Sequence, residues 1–226
     1  MVEVDSTFYR SPASKMVEGW RDKTPDGFGF SLKVPQAITH EKVLVDYRAE
    51  VGTFLAAARL LGDKLLCCVL QFGYFNKKAF LNLDAFLARL EPFLDAWPRD
   101  VPLAVEVRNK TWLTPKLADC LRARQAVLVL PDQAWMPSPL EAVRTLDAVT
   151  GPFAYVRLLG DRNAVDALTR TLDHIVLDRT EQLRADAEAI RELAGRVPVL
   201  VFVNNHFAGY APATVQQLRQ LLPGTE

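Results

Sequence analysis

Short apolar runs of strand character alternate along the chain with stretches of helical spacing. In the opening segment Val2 and Val4 alternate with Glu3 and Asp5, a period of two that predicts a strand with one apolar and one polar side. Further strand-like runs cover residues 28–33, 65–72, 103–108, 126–130, 153–157 and 199–203. Between most of them, apolar residues recur at three- and four-residue intervals over 48–61, 80–97, 117–124, 181–193 and 212–222, which predicts helices. Pro115 and Pro212 fall where a first helical turn tolerates proline. Residues 161–178 read as a long polar connection of the kind that covers a site.

Strands alternating with helices predict a parallel sheet in an α/β fold. No Gly/Ser-rich linker or fixed-period repeat interrupts the alternation, so a single domain over residues 1–226 is expected. Parity along each strand separates an apolar side from one that turns polar towards the C-terminal end. Glu3 and Asp5, Lys33, Gln71, Glu106 with Arg108, and Arg157 follow this rule; Asp132 comes after the fifth run, and Asn204-Asn205-His206 ends the last. Polar strand ends above a packed interior predict a TIM-type (β/α) barrel with its site at those ends. A doubly wound dinucleotide-binding sheet would show a Gly-rich first turn, which the sequence lacks. Seven strands are visible where a closed barrel has eight.

Composition narrows the partners. Lys plus Arg and Asp plus Glu both total 27, so there is no global charge to draw the chain to nucleic acid or an anionic membrane, although a local basic groove stays open. No run approaches the ~20 apolar residues of a membrane span, and the start has no secretory leader pattern, so a cytoplasmic protein is expected. Cys67, Cys68 and Cys120 lack metal-ligand spacing and read as small core residues in a reducing compartment.

Several segments in this order and spacing carry a resemblance: Val-Glu-Val-Asp-Ser-Thr-Phe-Tyr from Val2, Phe-Ser-Leu-Lys-Val-Pro with Thr39-His40, Leu70-Gln71-Phe72, Val105-Glu106-Val107-Arg108 with Trp112, Tyr155-Val156-Arg157, and Asn204-Asn205-His206 with Gly209. Together they resemble the YecE-like family, domain of unknown function 72, over residue 2 to about 222. The resemblance implies a TIM-barrel-like fold and no established activity. It also implies a first β/α unit that this chain lacks, and Leu159 stands where many relatives carry a histidine.

The chemistry expected at the strand ends is acid–base and anion binding. Glu3, Glu106 and His206 are the catalytic candidates, because proton transfer near neutral pH needs a tuned carboxylate or imidazole. Asp5, Lys33, His40, Gln71, Arg108, Asp132, Arg157, Asn204 and Asn205 are the binding candidates, with Lys33, Arg108 and Arg157 suited to a phosphate or carboxylate. The bland alternative is a layer of mutually paired charges that stabilises the barrel mouth. No cofactor is expected; Glu3, Asp5, Glu106, Asp132 and His206 would allow one divalent ion, but three histidines exclude a multi-zinc site. Tyr9, Trp20, Tyr74, Trp112, Trp135 and Phe207 form an aromatic theme, read mainly as packing, with Trp135 the best stacking candidate. The expected function is binding, and by hydrolysis or isomerisation processing, of a phosphorylated or sugar-like anion. A nucleic-acid-binding or phosphodiester-processing protein and a non-catalytic ligand-binding barrel are the alternatives.

Overall fold

The computed structural model describes residues 1–222, and these divide into two compact units, Met1–Arg108 and Asn109 onward. Strands β1 (Val2–Val4), β2 (Phe30–Lys33), β3 (Leu65–Gln71) and β4 (Leu103–Glu106) form a parallel sheet in sequential order in the first unit. In the second, β5 (Val127–Gln133), β6 (Ala154–Gly160) and β7 (Val199–Val203) do the same. All seven strands predicted from apolar patterning are present. Parallel strands need crossover connections, and helices supply them. They are α1 (Ser6–Tyr9) and α2 (Ser14–Asp22) after β1, α3 (Arg48–Ala58) after β2, α4 (Leu83–Ala96) after β3 and α5 (Pro115–Arg122) after β4. The series continues with α6 (Pro139–Thr145), α7 (Arg162–Leu168), α8 (Thr180–Ala194) and α9 (Ala211–Leu221). The fold is of the TIM-type (β/α) barrel class, as the strand pattern predicts.

Packing in the first unit follows the parity of its strands. Phe30, Leu32, Cys68, Leu70, Leu103 and Val105 are buried on the apolar side. Trp20 of α2 stacks on Phe30 with centroids 6.1 Å apart, and Phe72 meets Phe86 of α4 edge-on at 4.9 Å. The opposite parity makes rows across the sheet: Glu3 beside Ser31 beside Cys67, then Lys33 beside Val69 beside Ala104, then Gln71 beside Glu106. Ser31 Oγ lies 3.3 Å from Cys67 Sγ, and burial pushes the Cys67 thiol up to about 12, so it behaves as a core residue.

In the second unit Tyr155 is wholly buried and stacks on Phe202 of β7 at 5.0 Å. Leu183, Ala187, Ile190 and Leu193 give α8 its buried stripe, and Leu117 and Leu121 do the same for α5. Pro115 and Pro212 open α5 and α9 as predicted.

Three departures from the pattern bear on function. The connection at 161–178 contains α7, capped by Asp161 accepting from the Asn163 and Ala164 amides. Residues Ala37–Glu41 wind as a π-helix, and Val43, Leu44 and Asp46 then adopt left-handed backbone, which non-glycine residues enter at a cost. Gly160, at the end of β6, has φ +67° and lies against the 206–207 backbone, where a Cβ would come within 2.5 Å of His206 O and Phe207 Cα. Gly160→Ala is therefore expected to destabilise the chain by about 1–3 kcal/mol, read as a lower denaturation midpoint with an unchanged slope. An unchanged midpoint would mean that this backbone contact yields freely.

Candidate functional site

In the first unit, β2, β4 and the π-helix bring Lys33, Arg108 and His40 together. Lys33 Nζ sits 2.8 Å from Asp5 Oδ1 and 5.4 Å from the centroid of Phe8. Thr7 holds α1 onto β2, its hydroxyl lying 2.8 Å from Lys33 O and 2.9 Å from Val4 O. Glu106 has no exposed surface and accepts from Arg108 Nε at 2.9 Å. That leaves the two terminal guanidinium nitrogens of Arg108 without a hydrogen bond among the described residues.

His40 stands at the rim. Its Nδ1 is 2.7 Å from Thr39 Oγ1, its ring meets Phe8 edge-on at 5.1 Å, and its Nε2 lies over Gly73, where a Cβ would sit 3.2 Å away. Partial desolvation, then the positive fields of Arg108 and Lys33, push its pKa below the ordinary histidine value, so the ring is neutral at pH 7. The strained turn that follows is tied down by Lys42, whose ammonium donates to Asp46 O at 2.8 Å and Glu50 Oε1 at 2.6 Å. Strained backbone held by such ties accumulates at functional sites. Gln71 is buried in register with Glu106, and Glu3 lies a row lower beside Ser31.

The second unit holds Arg157, Asn204, Asn205 and His206. Arg157 is buried on β6 between Pro131 and Phe202 in register. Asn204 Oδ1 accepts from the His206 amide and lies 2.9 Å from His206 Nδ1, while His206 Nε2 is 3.3 Å from Asp166 Oδ1. Asn205 Oδ1 accepts from the Ala211 amide at 2.8 Å, which anchors the first turn of α9. His174 pairs with Asp173 on the surface.

A family model described as "Protein of unknown function DUF72" matches residues 1–226. The chain belongs to this family. Among curated relatives, YunF of Bacillus subtilis is 23% identical over 152 residues, covering 61% of this chain and 48% of its own length. YecE of Escherichia coli K12 is 31% identical over 109 residues, covering 48% of this chain and 38% of its own. The matches thus span less than half the length of these relatives. The crystal structure of a DUF72 family protein from Enterococcus faecalis superposes with TM-score 0.74 at 22% identity, over 100% of this chain and 85% of that one. A Thermotoga maritima DUF72 protein gives 0.71 at 24% identity, over 96% and 82%. At such identities the likeness carries the fold alone.

In this DUF72 chain Asp132 departs from the arrangement that strand ends suggest. β5 runs on to Gln133, so Asp132 lies inside the strand, in register with Leu158 rather than Arg157. Its carboxylate turns to α8, where Gln182 Nε2 approaches Oδ1 at 3.5 Å. There it joins Asp186, a residue that the sequence pattern leaves among the charges of an ordinary helix. Asp186 is fully buried; both its oxygens and Asp132 Oδ2 lack hydrogen-bond partners among the described residues. Burial pushes Asp132 up to about 6, and burial plus the nearby Asp132 pushes Asp186 up to about 8, with Gln182 and Arg179 opposing. Among the described residues no group of three or more His, Cys, Asp or Glu is placed to hold a metal ion. None of their helices is long and apolar enough to cross a membrane.

A carboxyl whose native pKa is raised holds its proton in the folded state after the unfolded state has lost it. Stability therefore falls as pH rises from about 4, the unfolded value, to about 8, the folded one. Thermal melts of wild type should lose Tm across that window, and Asp186→Asn should flatten the loss and melt higher at pH 8. Parallel curves for the two proteins would show that Asp186 ionises without penalty.

Proposed function

We propose that this DUF72 chain binds an anionic small molecule, phosphorylated or sugar-like, at the strand ends of its first unit, with Arg108 and Lys33 as the anion clamp. The observation that carries the reading is the held guanidinium of Arg108: buried Glu106 fixes it through Nε, and among the described residues its two terminal nitrogens make no hydrogen bond. A planar fork pre-oriented in this way suits two oxygens of a phosphate or carboxylate. Lys33 adds a point charge, only partly offset by the more exposed Asp5. Neutral His40 adds a ring nitrogen that exchanges hydrogen bonds without repelling either cation. If the ligand is turned over, Glu106 and Glu3 are the acid–base groups within this unit. His206, Asn204 and Arg157 lie in the second unit.

Titration calorimetry with a sugar phosphate tests the clamp. Arg108→Ala and Lys33→Ala should each weaken binding about 10- to 100-fold, the range expected for one charge-assisted contact. Glu106→Gln should weaken it less, since the amide oxygen still accepts from Arg108 Nε. Equal affinity for wild type and Arg108→Ala would refute the reading.

A further inference from the structure

Two tyrosines stand out of the first unit on segments that follow strand C-termini. Tyr9, on α1 after β1, is 72% exposed, and Tyr74, just after β3, is 71% exposed. A run of contacts leads from one towards the other. The Phe8 and Tyr9 rings meet edge-on at 5.4 Å, Phe8 meets His40 edge-on at 5.1 Å, and the His40 ring lies over Gly73, the residue before Tyr74. Only glycine at position 73 leaves the imidazole that place without displacing it.

Cations flank the aromatic strip. Arg10 adjoins Tyr9, and Lys77 and Lys78 follow Tyr74; all are exposed, and none makes an ion pair among the described residues. Some basic side chains elsewhere are matched, as in Arg59 with Asp100, Arg122 with Asp119 and Asp147, and Arg196 with Asp147, but it is the grouping of three unpaired cations beside exposed rings that marks this strip. A chain of zero net charge thus keeps unmatched positive groups beside its exposed rings.

We propose that the strip Tyr9–Phe8–His40–Tyr74, with Arg10, Lys77 and Lys78, is a platform for single-stranded nucleic acid, bases stacking on the tyrosines and phosphates meeting the cations. The proposal goes beyond the anion reading above and shares only Lys33 with it, whose ammonium lies 5.4 Å from the Phe8 ring centroid and would take a phosphate of the same strand. Three features select this ligand. Ring–ring steps of 5.4 and 5.1 Å from Tyr9 to His40 already exceed the width of one base, so the strip offers room for more than one nucleotide. Aromatic faces take any base and need no sequence, and cations at both ends of the rings can meet the phosphates on either side of the stacked bases. A duplex keeps its base faces stacked, and an apolar protein surface would leave the cations unanswered.

Fluorescence anisotropy of a labelled oligothymidylate of about 12 nucleotides, within the span such platforms cover, tests the proposal on the full chain. Binding should weaken with salt at a log–log slope of about −3, the value for four phosphates of a single strand met by Arg10, Lys77, Lys78 and Lys33. Tyr9→Ala and Tyr74→Ala should each weaken it about 5- to 100-fold and leave sugar-phosphate affinity unchanged. A duplex of the same length should bind less tightly. Absence of binding at low salt, or tyrosine variants that bind like wild type, would overturn the platform even with the anion clamp intact. Oligonucleotide binding that depends on the tyrosines, together with an Arg108→Ala variant that holds sugar phosphate normally, would remove the clamp and leave the platform standing.

Discussion

Glu106 lies at the end of β4 with no surface exposed to water, and a carboxylate so placed demands a counter-ion. Arg108, two residues on and at the same strand end, provides it through Nε. Much of the first unit's candidate chemistry depends on that pair. It uses one guanidinium nitrogen and holds the others in a fixed plane. Partial burial, and after it the positive fields of Arg108 and Lys33, hold the His40 pKa below its ordinary value. The neutral ring then rests on Phe8 and over Gly73, which orders the rim on which the exposed tyrosines stand.

The two units handle buried acid in opposite ways. In the first, buried Glu106 is matched by the Arg108 guanidinium, as the more exposed Asp5 is by Lys33. In the second, Asp186 and Asp132 face each other between α8 and β5 with Arg179 too weakly engaged to neutralise both, and protons take up the remaining charge. Pairing makes a site ready for an external anion. Protonation makes a joint whose strength varies with pH. The difference comes from what stands opposite each carboxylate, a cation in one case and a second acid in the other.

The strands and longer helices were legible because burial imposes periods of two and about 3.6 on any sequence that must cover a sheet with helices. So was the polar parity of Glu3, Lys33, Gln71 and Glu106, since alternate residues of a strand share a face, whereas Asp5, read as part of the first strand, lies beyond β1 in helical backbone as the N-cap of α1. Local motifs were legible less evenly. Asn204-Asn205-His206 announces a polar turn, yet Asn205 serves the first turn of α9, whereas Asn204 and His206 pair with each other. The short α6 and α7 escaped because each is too brief to repeat an apolar stripe.

Sequence alone determined the fold class, the order and parallel sense of the strands, and which residues occupy the polar face, because these follow from local hydrophobic period and chain connectivity. Tertiary structure decided which polar residues meet. β5 runs three residues past the apolar run at 126–130, so Asp132 falls within the strand on the face opposite Arg157 and turns to α8, since side chains alternate faces at every step. A helix face, invisible as a partner in one dimension, supplied Asp186. The π-turn that places His40 over Gly73 is likewise set by contacts among segments far apart in the chain, where periodicity carries no information.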